Sequence, residues 1–221
     1  MAYIDKYGVE FSDDHRTLVR CPKDFKGTYI IPNSVQRIGE KAFNGCNGIV
    51  TIIIPDSVND IGNAAFYYCS SLISIAIGNN VVRIGEQAFG FCCALTSIVI
   101  PDSVTCIEKL AFDSCSNMKV ATIGSGVTNI GMGAFWECVN LTSITISNGM
   151  TCVEDCVFHG CTSLTNIAIM GRGSLAERLK EILPDSVKIK VSETKLVCPH
   201  CGCEDIPSSA FFCPECGTKL R

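Results

Sequence analysis

The chain carries little charge and little histidine. Of its 221 residues only 18% are Asp, Glu, Lys or Arg, the net charge is −4, and there are three His and one Trp. Such a surface has no basic footprint for nucleic acid or an anionic membrane. No stretch approaches 18 uninterrupted apolar residues, so a transmembrane helix is not expected. The opening run MAYIDKYGVEF lacks the basic region and apolar core of a signal peptide, which points to a cytoplasmic chain. The glycine triplets Gly124-Ser-Gly126 and Gly171-Arg-Gly173 lack the phosphate-loop pattern. Catalytic groups are equally sparse. The one Cys–His pairing suggested by proximity joins His159 to Cys156 or Cys161, and Cys161 falls in an apolar column. The expectation is a non-enzyme.

Against these shortages stand 47% hydrophobic residues, too many for a mostly disordered chain, and 16 Cys. In a short secreted protein that count would suggest a disulfide framework. Without a signal peptide it suggests reduced thiols or a metal site.

Most of the cysteine has a simpler origin. Written in rows that start at Ile31, Ile54, Ile77, Ile100, Ile123 and Ile146, the sequence repeats every 23 residues without insertion. Position 13 is Phe in all six rows (Phe43, Phe66, Phe89, Phe112, Phe135, Phe158), and position 16 is Cys (Cys46, Cys69, Cys92, Cys115, Cys138, Cys161). Position 8 is Ile or Val, position 19 is Ile, Leu or Met, and position 9 is Gly except at Glu108 and Glu154. The end of each row alternates apolar residues, as a half-buried strand does. A Pro-Asp-Ser or Gly-rich turn follows, then a second short extended piece. Positions 9 to 16 space Ala, Phe and Cys as a short helical turn would. One row cannot bury its Phe, Leu and Ile, but stacked rows bury them in continuous columns. The expected fold class is a β-rich α+β solenoid with an internal ladder of phenylalanines.

Rows such as IPDSVNDIGNAAFYYCSSLISIA (Ile54 to Ala76) resemble the BspA-like leucine-rich repeat, the bacterial 23-residue type, from Ile31 to about Met170. The run GVEFSDDHRTLVRCP resembles that family's N-terminal cap. The resemblance implies a solenoid that binds other macromolecules, in proteins that are often surface-exposed or secreted. The expected organisation is an N-terminal capping hairpin (1–30), the solenoid (31–170), a helix–strand cap (171–191) and a tail module (192–221).

In the cap, Ser174 and Glu177 form a capping-box pattern, Leu175, Leu179 and Ile182 share a helix face, and Pro184 ends the helix. The tail reads LVCPHCGCEDIPSSAFFCPECGTKLR. Its two C-x-x-C-G knuckles place Cys198, Cys201, Cys213 and Cys216 as a four-thiolate set, the kind structural zinc prefers, and one Zn²⁺ per chain is expected. So short a segment needs a metal to fold. Cys203 offers itself as a substitute ligand. The tail resembles a zinc ribbon. Its three basic residues (Lys195, Lys219, Arg221) are outnumbered by four acidic ones and by the two negative charges of the zinc site, so it should repel phosphate.

For binding, two outward strand columns (Thr51, Ser74, Ser97, Val120, Ser143, Asn166 and Ile53, Ala76, Val99, Thr122, Thr145, Ala168) form a small, uncharged face. Positions 14 and 15 carry Tyr67, Tyr68, Phe91 and Trp136, aromatics of the kind that anchor protein interfaces. The expected function is a protein-interaction scaffold with unidentified protein partners, with no nucleic acid and no membrane. An exported surface or adhesion protein is the first alternative, and a nucleic-acid-associated ribbon protein the second.

Overall fold

The computed structural model describes residues 3–147, 149–170, 174–184, 186–192, 200–201, 212–213 and 215–219. The 23-residue period becomes one turn of a β-solenoid. Each turn carries a short strand at positions 7 and 8, such as Asp60–Ile61, Arg83–Ile84 and Cys106–Ile107, and a longer one at its end, such as Ser97–Ile100, Val120–Ile123 and Ser143–Ile146. Strands of successive turns pair in parallel with residue i beside i+23, as in Ser97↔Val120↔Ser143↔Asn166. The exact period fixes this register, because a slip of one residue would send every buried side chain to the opposite face.

The ends of the stack are closed differently. At the start, Glu10–Phe11 pairs antiparallel with Thr17–Arg20, which in turn runs parallel to the first short strand, Arg37–Ile38. This is the hairpin expected around the polar turn Ser12–His15. Tyr29 is buried here and donates its hydroxyl to Asp5 Oδ2 at 2.7 Å. At the far end, the helix Ser174–Ile182 buries Leu175, Ala176 and Leu179 over the last turn. It stops before Pro184, as Pro demands. Lys188–Ser192 then adds a parallel strand beside Asn166–Met170. The Glu177 carboxylate accepts from Lys180 Nζ at 2.9 Å.

Phenylalanine and cysteine organise the core together. The six Phe rings stack face to face, with centroids 4.9, 5.1, 5.2, 5.2 and 5.9 Å apart along the chain. That is close to the spacing of the strands themselves. From the second row on, each column Cys donates its thiol to the carbonyl of the Phe one row back, Cys69 to Phe43, Cys92 to Phe66, Cys115 to Phe89, Cys138 to Phe112 and Cys161 to Phe135, at 3.1–3.2 Å. Burial pushes the Cys69, Cys92 and Cys115 thiols above their ordinary range, so they stay protonated and able to donate. The column is a set of donors as well as small apolar filling.

Positions 9 to 16 differ from expectation. They form overlapping turns, not a helical turn. Positions 11 and 15 hold positive φ in every row, at Lys41 and Gly45, Ala64 and Tyr68, Gln87 and Phe91, Leu110 and Ser114, Gly133 and Glu137, and Cys156 and Gly160. The left-handed residues turn alternate N–H groups away from their own row. Those at positions 11, 13 and 15 donate to the next row, for example Gln87 to Lys109, Phe89 to Ala111 and Phe91 to Asp113, at 3.0, 2.7 and 2.7 Å. A left-handed L-residue costs about 1–2 kcal/mol, and each such pair of residues is offset by three bonds between rows.

Candidate functional site

The aromatics at positions 14 and 15 divide into two groups. Tyr68 and Phe91, one row apart, stack with centroids 4.6 Å apart and planes 8° from parallel, and Tyr67 meets both edge-on at 4.8 and 5.5 Å. Tyr68 and Phe91 sit at φ 59° and 58°. That conformation is rare for bulky residues and here comes with position 15 of the repeat, which holds positive φ in every row. Tyr68 is 47% exposed, and Phe91 and Tyr67 are half-buried. The room for Tyr67 comes from Gly90 at position 14 of the next row: a Cβ there would stand 2.9 Å from the Tyr67 ring. Trp136 is not part of this patch. Two rows further on, it packs against His159 at 4.2 Å.

Between the groups lies Asp113, a buried carboxylate that accepts from Ser114 Oγ at 2.8 Å. Burial raises its pKa above the ordinary carboxylate value. The long-strand face is paired as the sequence predicted and carries the exposed apolar residues Ile53, Val99 and Val120.

On the short-strand side a charge ladder links four rows. Asp60 binds Arg37 at 2.8 Å and Arg83 at 2.7 Å, and Arg83 also binds Glu108 at 2.8 Å. Glu108 is one of the two departures from Gly at position 9, and its other oxygen accepts the Glu86 N–H at 3.0 Å. Glu154, the second departure, accepts the Met132 N–H at 2.8 Å in the same way. The two glutamates cap backbone donors of the preceding row. The sequence signal was there, in charged residues facing each other at a spacing of 23 to 25.

In the tail, Cys201, Cys213 and Cys216 place their sulfurs within 4.8 Å of one another. Tetrahedral Zn–S bonds of 2.3 Å require sulfurs about 3.8 Å apart, so the three converge as ligands of one ion do. Cys213 and Gly217 build the second knuckle: the Gly217 N–H donates to the Cys213 carbonyl at 2.9 Å, and Gly217 takes φ 68°, which glycine permits. This cluster is able to hold a metal. His200 is exposed, and Cys198 and Cys203 lie outside the described residues, as do Leu196 and Phe211. Among the described residues no helix is long and apolar enough to cross a membrane.

A family model described as "BspA type Leucine rich repeat region" matches six copies over residues 25–138 and 84–212. Three solved structures show the same fold. A T. pallidum leucine-rich repeat protein is 23% identical with a TM-score of 0.64, covering 84% of this chain and 97% of its own. A leucine-rich cell surface protein from Faecalibacterium prausnitzii is 28% identical with a TM-score of 0.58, covering 80% and 39%. The pneumococcal vaccine antigen PcpA is 21% identical with a TM-score of 0.73, covering 86% and 48%. The chain thus spans half or less of the last two. No curated protein matches the sequence.

Proposed function

The chain belongs to the BspA-type leucine-rich repeat family, and on that premise we propose that it is a non-enzymatic protein-interaction scaffold whose contact patch is Tyr67, Tyr68 and Phe91, with Trp136 as a second anchor. The observation that carries this reading is the Tyr68–Phe91 stack, two bulky rings of adjacent rows at the surface, with Tyr68 exposed. Proteins built on leucine-rich repeats generally mediate protein interactions, and exposed stacked aromatics are efficient anchors because little side-chain entropy is lost on contact. The test is a pull-down from the native cell with Tyr68→Ser, Phe91→Ser and Trp136→Ser combined, after circular dichroism has checked the fold. Loss of a partner held by the parent chain supports the patch, and recovery of every partner overturns it.

In this reading the tail is a structural zinc ribbon, with Cys198 completing the set Cys201, Cys213 and Cys216. Support comes from the three converging sulfurs and the knuckle turn at Gly217. Zinc would hold the tail folded, and protein contact or docking on the solenoid suits its acidic surface better than nucleic acid does. Metal analysis of the purified chain should find one zinc, and a salt-dependent DNA or RNA shift assay should find no binding. A reducing, cytoplasmic setting suits a core of free thiols that serve as donors. A second reading, a surface protein, is favoured by the cell-surface description of the 28% identical F. prausnitzii protein. Cell fractionation separates the two.

A further inference from the structure

Asp113 is the one buried charged residue among the described ones, 9% exposed. Position 14 carries no acid in any other row, where it is Asn44, Tyr67, Gly90, Trp136 or His159. The stack therefore does not need a carboxylate there. A buried carboxylate with few hydrogen bonds costs folding free energy, and proteins keep such local conflicts at functional sites. Ser114 Oγ donates to Oδ1 at 2.8 Å, and no other hydrogen bond or ion pair among the described residues reaches the side chain. Oδ2 is thus unpartnered. It is also open to solvent, because Ser57 Oγ is the one side-chain oxygen or nitrogen among the described residues that is both sealed and unpartnered. Burial first, and then the charge of exposed Glu137 in the next row, hold the Asp113 pKa up against the Ser114 bond.

The surroundings of Oδ2 suit a cation. The Tyr67 ring lies over Gly90, one row before Asp113, 2.9 Å from where a Cβ would stand. The Asp113 charge reaches that ring: burial, Tyr68 and then Asp113 hold the Tyr67 phenol above its ordinary pKa. Trp136 follows one row after Asp113, and its carbonyl accepts the Ser114 N–H at 2.7 Å. With rows about 4.8 Å apart, the two rings flank a notch roughly 10 Å wide. A cation on Oδ2 would stand about 5 Å from each ring, inside the ~6 Å reach of a cation–π contact. Arginine suits this place better than lysine, since its planar guanidinium stacks on rings and is more weakly hydrated. We propose that the notch receives an arginine side chain of the protein partner, its guanidinium donating to Asp113 Oδ2 between the Tyr67 and Trp136 rings. The proposal rests on the aromatic contact patch and adds that the patch selects a basic segment. A neutral segment would cover the carboxylate and leave it unpaired.

The probe is the pentapeptide acetyl-Gly-Gly-Arg-Gly-Gly-amide, titrated into the full chain beside its lysine and citrulline counterparts. Citrulline replaces the guanidinium by a neutral urea of the same shape. Trp136 is the one Trp of the sequence, so its fluorescence reports binding. The Arg peptide should bind saturably, the citrulline peptide about tenfold more weakly, and the Lys peptide in between. Asp113→Asn keeps the shape of the side chain. It should weaken the Arg peptide about tenfold and leave the citrulline peptide unchanged. No saturable binding of the Arg peptide, equal binding of the Arg and citrulline peptides, or unaltered Arg binding by Asp113→Asn would each overturn the proposal. A Lys peptide that binds as tightly as the Arg peptide would overturn the choice of arginine. The pull-down separates the notch from the patch beneath it. If the triple Ser variant loses a partner that Asp113→Asn keeps, the notch alone fails. If the triple variant keeps every partner while the Arg peptide binds through Asp113, the patch reading fails and the notch stands as an arginine site.

Discussion

Phe112→Ala removes a ring held between two others. Phe112 is fully buried, and its ring lies 5.2 Å from Phe89 on one face and 5.2 Å from Phe135 on the other. A buried Phe→Ala change costs about 3–5 kcal/mol through lost transfer energy and the cavity left behind. Each aromatic pair adds about 0.5–1.5 kcal/mol beyond burial. Two faces and complete burial put Phe112→Ala at the upper end, about 5 kcal/mol. Phe158 is the internal control: it ends the stack, touches one ring at 5.9 Å and keeps 7% exposure. Phe158→Ala should cost about 3 kcal/mol by the same reasoning. Urea unfolding followed by far-ultraviolet circular dichroism measures both. Because each row of a solenoid contacts only its neighbours, weakening the middle should also uncouple the two halves and lower the denaturant slope. Equal costs for the two variants, or a larger one for Phe158→Ala, would refute the idea that stacking on two faces stabilises the interior rows.

Other perturbations test other parts of the molecule. Cys92→Ala should cost about 1–2 kcal/mol and Cys92→Ser less, because a hydroxyl still donates to the Phe66 carbonyl; chemical denaturation ranks them. Burial holds the Asp113 pKa above its unfolded value, so ionisation penalises the folded state. Asp113→Asn should therefore raise the melting temperature at neutral pH, with the gain fading as pH falls toward the ordinary Asp range where the native side chain is already protonated. Chelation of the zinc proposed for the tail should leave the solenoid's dichroism intact while making residues 192–221 sensitive to protease. Simultaneous loss of both would show that the solenoid depends on the tail.

The stack was legible in the sequence because its determinants are residue types in fixed columns. Phe at position 13 and apolar residues at positions 8 and 19 can be buried only if rows superpose, and the constant step of 23 supplies the register. The turn ladder was not legible, because left-handed backbone falls on Lys41, Gln87, Leu110 and Glu137, types that give no hint of it. Those conformations are imposed by bonds from the neighbouring row, a tertiary cause. The aromatic ridge was read as one feature and is two, since Gly90 and Asp113 interrupt position 14 between Tyr67 and Trp136. In the tail the C-x-x-C spacings pointed to a thiol cluster before any geometry did, and Cys201, Cys213 and Cys216 converge, with Cys198 outside the described residues.

The forward-pointing bonds of the turn ladder also give the molecule an electrical direction. In parallel strands successive peptide dipoles largely cancel. In the turn ladder the participating N–H groups all point toward the C-terminal end, so their dipoles add from row to row as they do along a helix. A nearly uncharged rod thus acquires a positive pole past Gly160 and a negative pole before Glu40. Arg20, Lys23 and Lys41 line a cleft at that negative end, together with Glu10, which pairs with Arg20; cations are favoured there. Every repeat added to such a stack would lengthen the dipole without changing the net charge.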